Sequence, residues 1–87
     1  MLFMTILTWE PEKEEEVTKR RAEWNYPEEM KPKGEWVDLA GGRVFCLAEA
    51  DDPRVILAAT SAWHDLGKFE VTPVMEAEEM LKLMSEG

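Results

Sequence analysis

The sequence of 87 residues is poor in the residue types that build disulfides and metal sites. It has one cysteine, Cys46, and one histidine, His64, so an intrachain disulfide and a cysteine-based zinc site are both excluded. Cys46 lies in an apolar, strand-like run, residues 43–48. A lone cysteine in such a run is typically a buried, unreactive thiol.

Basic residues are also scarce. The chain has 10 Lys and Arg against 19 Asp and Glu, which gives a formal net charge of −9. Nucleic acids and anionic lipid surfaces are bound through a basic footprint, so this charge excludes both kinds of partner. The acidity is typical of a surface that keeps a small protein in solution.

Long hydrophobic runs and cofactor motifs are missing too. The apolar opening, residues 2–8, is too short to span a bilayer and lacks the basic flank of a signal peptide. The sequence has no phosphate loop, dinucleotide fingerprint or nucleophile elbow. We therefore predict a cytoplasmic protein with no metal and no cofactor.

The sequence does contain alternating strand-like and helix-like segments, in a length that suits one domain, residues 1–87. Period-2 patterns bounded by turn residues predict strands at residues 2–8, 35–39, 43–50 and 69–74. Helical spacing predicts helices that begin at Pro11 and Pro53, and a third over residues 76–84. The order β-α-β-β-α-β-α predicts an α+β, ferredoxin-like fold with a four-stranded antiparallel sheet and an extra C-terminal helix.

Turn and cap residues divide these segments. Two prolines keep residues 25–34 out of a helix or a central strand, and Gly41-Gly42 predicts a hairpin. Asp51 or Asp52 is the expected N-cap of the second helix, with Pro53 at its first position. Gly67 is expected to end that helix in the left-handed conformation.

Alternation along the strands divides the predicted sheet into two faces. The first face is apolar and is expected beneath two helices: Leu2, Met4, Ile6, Val37, Leu39, Val44, Cys46, Ala48, Phe69 and Val71. The second face mixes aromatic and polar side chains: Phe3, Thr5, Leu7, Trp9, Trp36, Asp38, Phe45, Leu47, Glu49, Glu70, Thr72 and Val74. Its apolar part would be an unusual patch on a monomer, so we predict a homodimer with sheets face to face around a semi-polar cavity.

Four short segments carry a resemblance to a known group. They are Met1-Leu2-Phe3-Met4, Leu47-Ala48-Glu49-Ala50-Asp51-Asp52-Pro53, Trp63-His64-Asp65-Leu66 and Phe69-Glu70-Val71-Thr72-Pro73-Val74. With the predicted layout, they make the chain similar to the dimeric α/β-barrel superfamily, and within it to a small family of uncharacterised single-domain proteins. The resemblance implies the fold and a dimer but no catalytic residue. The superfamily includes monooxygenases, haem enzymes, lactone isomerases and ligand-binding domains, so fold alone does not choose a function.

Six residues of the second face are the candidate ligand-binding residues: Trp9, Trp36, Asp38, Glu49, Glu70 and Thr72. The tryptophans could line a pocket for a flat molecule, although interface packing also explains aromatic residues there. Carboxylates buried in a cavity would act as bases or bind a cation. At strand ends they would instead be solvated or paired with basic side chains.

The candidate catalytic residue is His64, since a histidine titrates near neutral pH and suits a general base or a metal ligand. The alternative is a histidine that interacts with the carbonyl groups at the end of the second helix.

Three functions stay open on these observations. The leading hypothesis is a homodimeric domain that binds a small apolar or aromatic molecule in the cavity between the sheets. The second is a cofactor-independent, monooxygenase- or isomerase-like enzyme that uses His64 or a cavity carboxylate. The third is a structural dimer whose interior is packed solid.

Overall fold

The computed structural model describes residues 1–86. Its strands are β1 (Leu2–Thr8), β2 (Lys31–Val37), β3 (Arg43–Glu49) and β4 (Lys68–Val74), and its helices are α1 (Glu14–Glu23), α2 (Pro53–Ser61) and α3 (Ala77–Glu86). A 3₁₀ turn, Pro11–Lys13, leads into α1. The four strands form an antiparallel sheet in the order β2-β3-β1-β4. This confirms the predicted α+β class and element order, which are consistent with a ferredoxin-like fold.

The side of β1 that faces the helices is the opposite of the one predicted. Thr5 pairs with Cys46 of β3, and directly paired residues share a face. The buried side of β1 is Phe3, Thr5 and Leu7, and its other side is Leu2, Met4 and Ile6. Thr5, which was predicted on the face turned away from the helices, instead donates a buried hydrogen bond to the Cys46 carbonyl oxygen over 3.4 Å.

The edge strand β2 also differs from the prediction. It starts at Lys31 and ends at Val37, rather than covering residues 35–39. Pro32 fits this strand because an edge strand has one side without ladder partners, where a missing N–H costs nothing. A register shift marks an irregularity between Pro32 and Gly34. Leu39, predicted on the buried face, is fully exposed in the turn that follows.

The hairpin between β2 and β3 confirms the predicted glycine turn. Gly41 and Gly42 have φ angles of +87° and +78°, which glycine adopts without steric cost. Asp38 closes the turn, since its carboxylate accepts the Ala40 N–H at 2.8 Å and the Arg43 Nε–H at 3.1 Å. These bonds hold the pKa of Asp38 below its usual value, the backbone bond from Ala40 most of all.

The helix α2 begins as predicted and ends differently. Asp52 is its N-cap, and the Asp52 carboxylate accepts the backbone N–H of Arg54 at 2.9 Å. The helix stops at Ser61, before the predicted end. Gly67 does not adopt the left-handed conformation, since the glycines with positive φ within residues 1–86 are those of the hairpin. Gly67 is instead required by a close approach, because a Cβ there would overlap the carbonyl oxygen of Thr8.

The hydrophobic core lies between the sheet and the helices α1 and α2, in two clusters. The first contains Phe3, Met30, Cys46, Ala48, Ala50, Ile56 and Ala59. The second contains Leu7, Val17, Trp63 and Leu66. Clusters of this kind are what an amphipathic helix and one face of a sheet bury when they pack as two layers.

The other face of the sheet, here called the open face, carries no helix within residues 1–86. Its central residues are only partly buried: Leu2, Met4, Ile6, Phe45 and Leu47. The helix α3 buries none of its residues either. The radius of gyration is 14.7 Å, against about 12 Å for a compact chain of this length, as expected when α3 projects from the rest. Over the same residues, no helix combines the length and the hydrophobicity needed to cross a membrane.

Candidate functional site

A pocket of about 280 Å³ lies between the sheet and α1, on the side opposite the open face. We call it the α1 pocket. Its apolar lining consists of Leu7, Trp9, Val17, Trp24, Met30, Val37, Val44, Ala59, Trp63 and Phe69. Its polar lining consists of Thr5, Glu14, Thr18, Arg21, Tyr26, Glu35, Cys46 and Thr60. A mostly apolar wall with a few polar groups is the usual make-up of a small-molecule site.

The α1 pocket exists because α1 is too polar to fill the space above the sheet. Seven of its ten residues are charged, and Val17 is the residue that it buries. The segment after α1 supplies bulky side chains instead. Trp24 packs edge-on against Tyr26 and Trp63, with ring centres 6.0 and 5.5 Å away. Edge-to-face contacts suit the charge distribution of aromatic rings, so these three rings form a continuous wall.

One end of the pocket is a connected group of polar side chains, here called the polar corner: Arg21, Tyr26, Glu35 and Cys46. Glu35 Oε1 accepts from Arg21 Nε at 3.0 Å and from the terminal nitrogen Nη2 at 2.6 Å. Its other oxygen, Oε2, accepts the Tyr26 hydroxyl at 2.5 Å. The Tyr26 oxygen also lies 3.6 Å from Cys46 Sγ. Each carboxylate oxygen of Glu35 is therefore bound by a side chain from another element.

The polar corner has defined protonation states at neutral pH. Burial raises the pKa of Tyr26, and its hydrogen bond to Glu35 raises that pKa further, so Tyr26 stays a neutral phenol. Burial likewise raises the pKa of Cys46 above its usual value, so it stays a thiol. The hydrogen bond to Glu35 raises the pKa of Arg21. A thiol held in this state is a poor nucleophile, so the corner suits binding rather than covalent chemistry.

The opposite end of the pocket is formed by the first turn of α1. Glu14 Oε1 accepts the indole N–H of Trp9 at 2.8 Å. The Thr18 hydroxyl donates to the Glu14 carbonyl oxygen at 3.0 Å and lies 3.4 Å from Glu14 Oε2. These bonds hold the Trp9 ring against the helix, where it forms part of the pocket wall.

Two ion pairs fasten α1 over the pocket, one on each side. Arg21 pairs with Glu35 of β2, as described. On the other side Arg20 binds both carboxylate oxygens of Asp65 at 2.6 and 2.9 Å and also donates to the Ala62 carbonyl oxygen at 2.9 Å. The hydrogen bond from Arg20 holds the pKa of Asp65 below its usual value. Bidentate arginine pairs are among the better-defined surface ion pairs, so α1 is positioned by geometry rather than by an apolar stripe.

The family model described as a domain of unknown function, DUF3303, matches residues 1–87. The chain belongs to the DUF3303 family. No curated protein and no solved structure matches it. The family description gives no activity for this DUF3303 domain.

Of the six predicted ligand-binding residues of the DUF3303 domain, Trp9 lies in the α1 pocket. Four others belong to strand positions of the open face: Trp36, Glu49, Glu70 and Thr72. The remaining one, Asp38, lies in the hairpin turn, where its carboxylate binds backbone and Arg43. The fold therefore does not bring the six residues together within one chain.

On the open face, Trp36 lies over the backbone of Gly34, since a Cβ added at Gly34 would meet the Trp36 ring. An aromatic ring covering a strand glycine is a known way to stabilise an edge strand. Ile6 pairs with Phe45 and Glu70, and Phe45 pairs with Trp36. These four residues therefore share a row across the open face, apolar at its centre and acidic at one edge.

His64 lies in the turn after α2, is exposed, and does not line the α1 pocket. Its backbone N–H donates to the Ser61 carbonyl oxygen at 3.3 Å. Within residues 1–86, no three His, Cys, Asp or Glu side chains lie close enough to hold a metal ion.

Reasoning from the sequence missed the polar corner of this DUF3303 domain. Tyr26 is the chain's one tyrosine, and it lies in the proline-containing segment, residues 25–34, for which the sequence predicts a loop. Glu35 opens the strand that alternation predicted, on the side that faces the helices. The sequence signals for this site are a single tyrosine, Tyr26, and a carboxylate on the helix side of a strand, Glu35. Whether the two side chains come into contact depends on how the segment after α1 folds back.

Proposed function

We propose that this domain binds a small, largely apolar molecule in the α1 pocket. The observation that supports the proposal is the pocket itself, with an aromatic wall at one side and one polar corner. A cavity of about 150 Å³ is enough to hold benzene. The α1 pocket, at about 280 Å³, has room for a molecule of one or two rings.

The amount of space favours a binding site over a packing defect. Protein interiors are packed to the density of organic crystals, and voids larger than a water molecule are few. The α1 pocket is lined by two large side chains, Trp24 and Trp63. They are held in place by edge-to-face contacts and by the cation–π contact of Arg20 with Trp63 at 5.8 Å. A held opening of this kind is typical of a preformed site.

A pocket-filling variant tests the proposal. Naphthalene should bind the wild-type chain with a dissociation constant on the order of 0.1–1 mM, from its ten carbons and ordinary ligand efficiency. Ala59→Leu places a larger side chain in the pocket, so binding should weaken at least tenfold. The measurement is tryptophan fluorescence or calorimetry, with circular dichroism to confirm that the variant folds.

The matched control is Ala58→Leu, the same enlargement at an exposed neighbouring residue of α2, which should bind naphthalene like the wild type. Undiminished binding by the Ala59→Leu chain would remove the α1 pocket as the site.

We also propose that the domain is a homodimer whose open faces pack against each other. The support is the apolar centre of the open face and the apolar side of α3, which residues 1–86 leave uncovered, with Trp36 at 54% and Leu81 at 60% exposure. Pairing two sheets face to face buries such surfaces, and it is the assembly of the dimeric α/β-barrel superfamily that the sequence resembles. In this dimer Trp36, Glu49, Glu70 and Thr72 would border the space between the sheets, which is the alternative ligand site.

Light scattering tests the dimer directly. The expected mass is twice the 10.0 kDa of one chain at micromolar concentration, and a mass of one chain would exclude the assembly. Cytoplasmic location stays a prediction from the sequence.

A further inference from the structure

The hydrogen-bond directions of the polar corner determine what a ligand can offer it. The Tyr26 hydroxyl already donates its hydrogen to Glu35 Oε2. The Cys46 thiol is then the donor in its 3.6 Å contact with the Tyr26 oxygen. A thiol is a weak hydrogen-bond donor, so a ligand hydroxyl or N–H can replace Cys46 as the group that donates to the Tyr26 oxygen.

The threonine hydroxyls of the pocket are oriented in the same sense. Thr5 donates to the Cys46 carbonyl oxygen, and Thr60 donates to the Leu57 carbonyl oxygen at 3.1 Å. Their hydrogens are used within the protein and their oxygens keep free lone pairs. The hydroxyl groups of the pocket therefore present acceptors, which complement a ligand that donates.

The basic side chain of the pocket lining, Arg21, is already paired with a carboxylate. Arg21 uses Nε and one terminal nitrogen on Glu35, and Glu14 accepts from Trp9 at the other end. An anionic ligand would lose its hydration in this mostly apolar space without gaining a free counter-charge, which is unfavourable. A cationic ligand would meet the Glu14 carboxylate only at the exposed end of the pocket, where water weakens the attraction. An anion would also meet two carboxylates and a net charge of −9.

We infer that the α1 pocket takes a neutral aromatic molecule of one or two rings that donates a hydrogen bond to the Tyr26 oxygen, with a phenol as the simplest chemistry. The rings would lie against Trp24 and Trp63, and the hydroxyl would point to the polar corner. This inference rests on the proposed ligand-binding function and adds to it the chemical class of the ligand.

Four ligands of one ring system test the inference: naphthalene, 2-naphthol, 2-methoxynaphthalene and 2-naphthoate, each titrated at pH 7 by calorimetry. They share the flat apolar body and differ in having no polar group, a donor, an acceptor without a donor, and a negative charge. One net hydrogen bond predicts that 2-naphthol binds roughly three- to tenfold more tightly than naphthalene. The methyl ether should gain nothing, and the carboxylate should bind at least tenfold more weakly than 2-naphthol.

The outcomes separate the two proposals. If none of the four binds, the proposed function itself fails. If naphthalene, 2-naphthol and the methyl ether bind equally, the pocket binds aromatic molecules and the donor inference fails. If 2-naphthoate binds most tightly, Arg21 is the recognising group and the inference is wrong.

A variant then assigns the preference to one atom. Tyr26→Phe removes the hydroxyl and keeps the ring, so it should bring 2-naphthol down to the affinity of naphthalene while naphthalene binding stays within about twofold. Ser61→Ala is the matched control, since it also removes a hydroxyl but at an exposed residue of α2 outside the pocket lining, and it should keep the preference. A Tyr26→Phe chain that still prefers 2-naphthol would overturn the role of Tyr26, and the wild-type ligand series decides the ligand class even if that variant does not fold.

Discussion

Gly67 shows how a single residue can be placed correctly by the sequence and explained wrongly by it. A glycine after a helix predicts a left-handed cap, yet Gly67 has no positive φ. Its hydrogen atom lies where a Cβ would overlap the Thr8 carbonyl oxygen and come within 3.1 Å of Leu7 Cδ1. The glycine is therefore required by the packing of β4 beside β1, a contact between residues far apart in the chain.

Replacing this glycine should reveal the close approach. Gly67→Ala should lower the free energy of unfolding by about 1–3 kcal/mol, the usual cost of overpacking, because backbone rather than a flexible side chain must move. Gly41→Ala is the comparison: its Cβ meets nothing within 4 Å, but its φ of +87° should cost about 1 kcal/mol. Urea unfolding measures both. A smaller loss at Gly67 than at Gly41 would contradict the overlap.

At the scale of single side chains, the candidate site was the least predictable part of the molecule. Alternation assigned Trp9 to a ligand site between two sheets, whereas Trp9 lines the α1 pocket on the helix side of the sheet. Tyr26 and Glu35 come together only because the chain after α1 folds back beside β2, and no local pattern reports that geometry. Local spacing relates residues within one element, whereas the polar corner joins side chains from α1, β2, β3 and the segment between α1 and β2.

At the scale of elements, α1 is held differently from a typical amphipathic helix. Its apolar stripe is reduced to Val17, so little of its position comes from burial. The Arg20–Asp65 pair links it to the turn after α2, and the Arg21–Glu35 pair links it to β2. Surface ion pairs weaken with salt and with protonation of the carboxylate, so the attachment of α1 should depend on pH.

Asp65 gives that dependence a definite sign. Its pKa in the folded chain is held below 3.8 by the hydrogen bond from Arg20, so below about pH 5 the unfolded chain binds more protons. Stability is therefore complete above that pH and falls as the pH drops through the folded-state pKa. Asp65→Asn should lower the unfolding midpoint at pH 6 and flatten its decline between pH 5 and pH 2.5.

The complementary variant is Arg20→Gln, which removes the donor of this pair and should flatten the decline in the same way. Equal slopes for wild type and Asp65→Asn in thermal unfolding would show that the Arg20 pair does not contribute.

The strand β1 shows why the side of a strand that faces the core is harder to predict than the strand itself. Both of its sides are apolar, because β1 is a central strand between β3 and β4. Alternation then allows either set of side chains to be the buried one, and a shift of one residue exchanges the two sets between the faces of the sheet. Thr5 lies on the buried side of β1. Its hydroxyl can be buried because it donates a hydrogen bond to the Cys46 carbonyl oxygen.

At the scale of the whole molecule, residues 1–86 form two layers, the sheet and the helices α1 and α2, and the open face of the sheet carries no third layer. Its smallest extent is 17 Å, roughly the depth of one sheet and one helix layer. The helix α3 leaves Leu81 and Met84 60% and 71% exposed. A small domain gains stability by burying such surfaces in an assembly, so the proposed dimer should depend on both the open face and α3.

Charge placed on the open face should separate the subunits. Leu47→Glu puts a carboxylate at the centre of the proposed interface, so the dimer dissociation constant should rise at least a hundredfold, since burying an unpaired charge is strongly unfavourable. Leu57→Glu, an identical change at an exposed leucine of α2, should leave the dimer intact. Sedimentation equilibrium measures both, and a dimeric Leu47→Glu chain would exclude the open face as the interface.

The part played by α3 is measured with a charge-matched pair. Leu81→Glu with Met84→Glu adds two negative charges on its apolar side, and Lys82→Glu changes the net charge by the same amount on its polar side. The first should weaken the dimer at least tenfold, because it removes apolar surface as well as adding charge. Equal weakening by both would mean that net charge alone is responsible.

Local sequence patterns were sufficient to predict the class of fold, the order of elements, the hairpin at Gly41-Gly42 and an aspartate cap before Pro53. Each of these depends on residues within one turn or one strand, where sterics and hydrogen bonds act locally. Three features became clear only from the tertiary contacts. They are the buried side of β1, the close approach that requires a glycine at position 67, and the meeting of four side chains at one end of a pocket: Arg21, Tyr26, Glu35 and Cys46. Those features arise from contacts between distant segments, and a chain with apolar residues on both sides of its sheet leaves them undetermined until it folds.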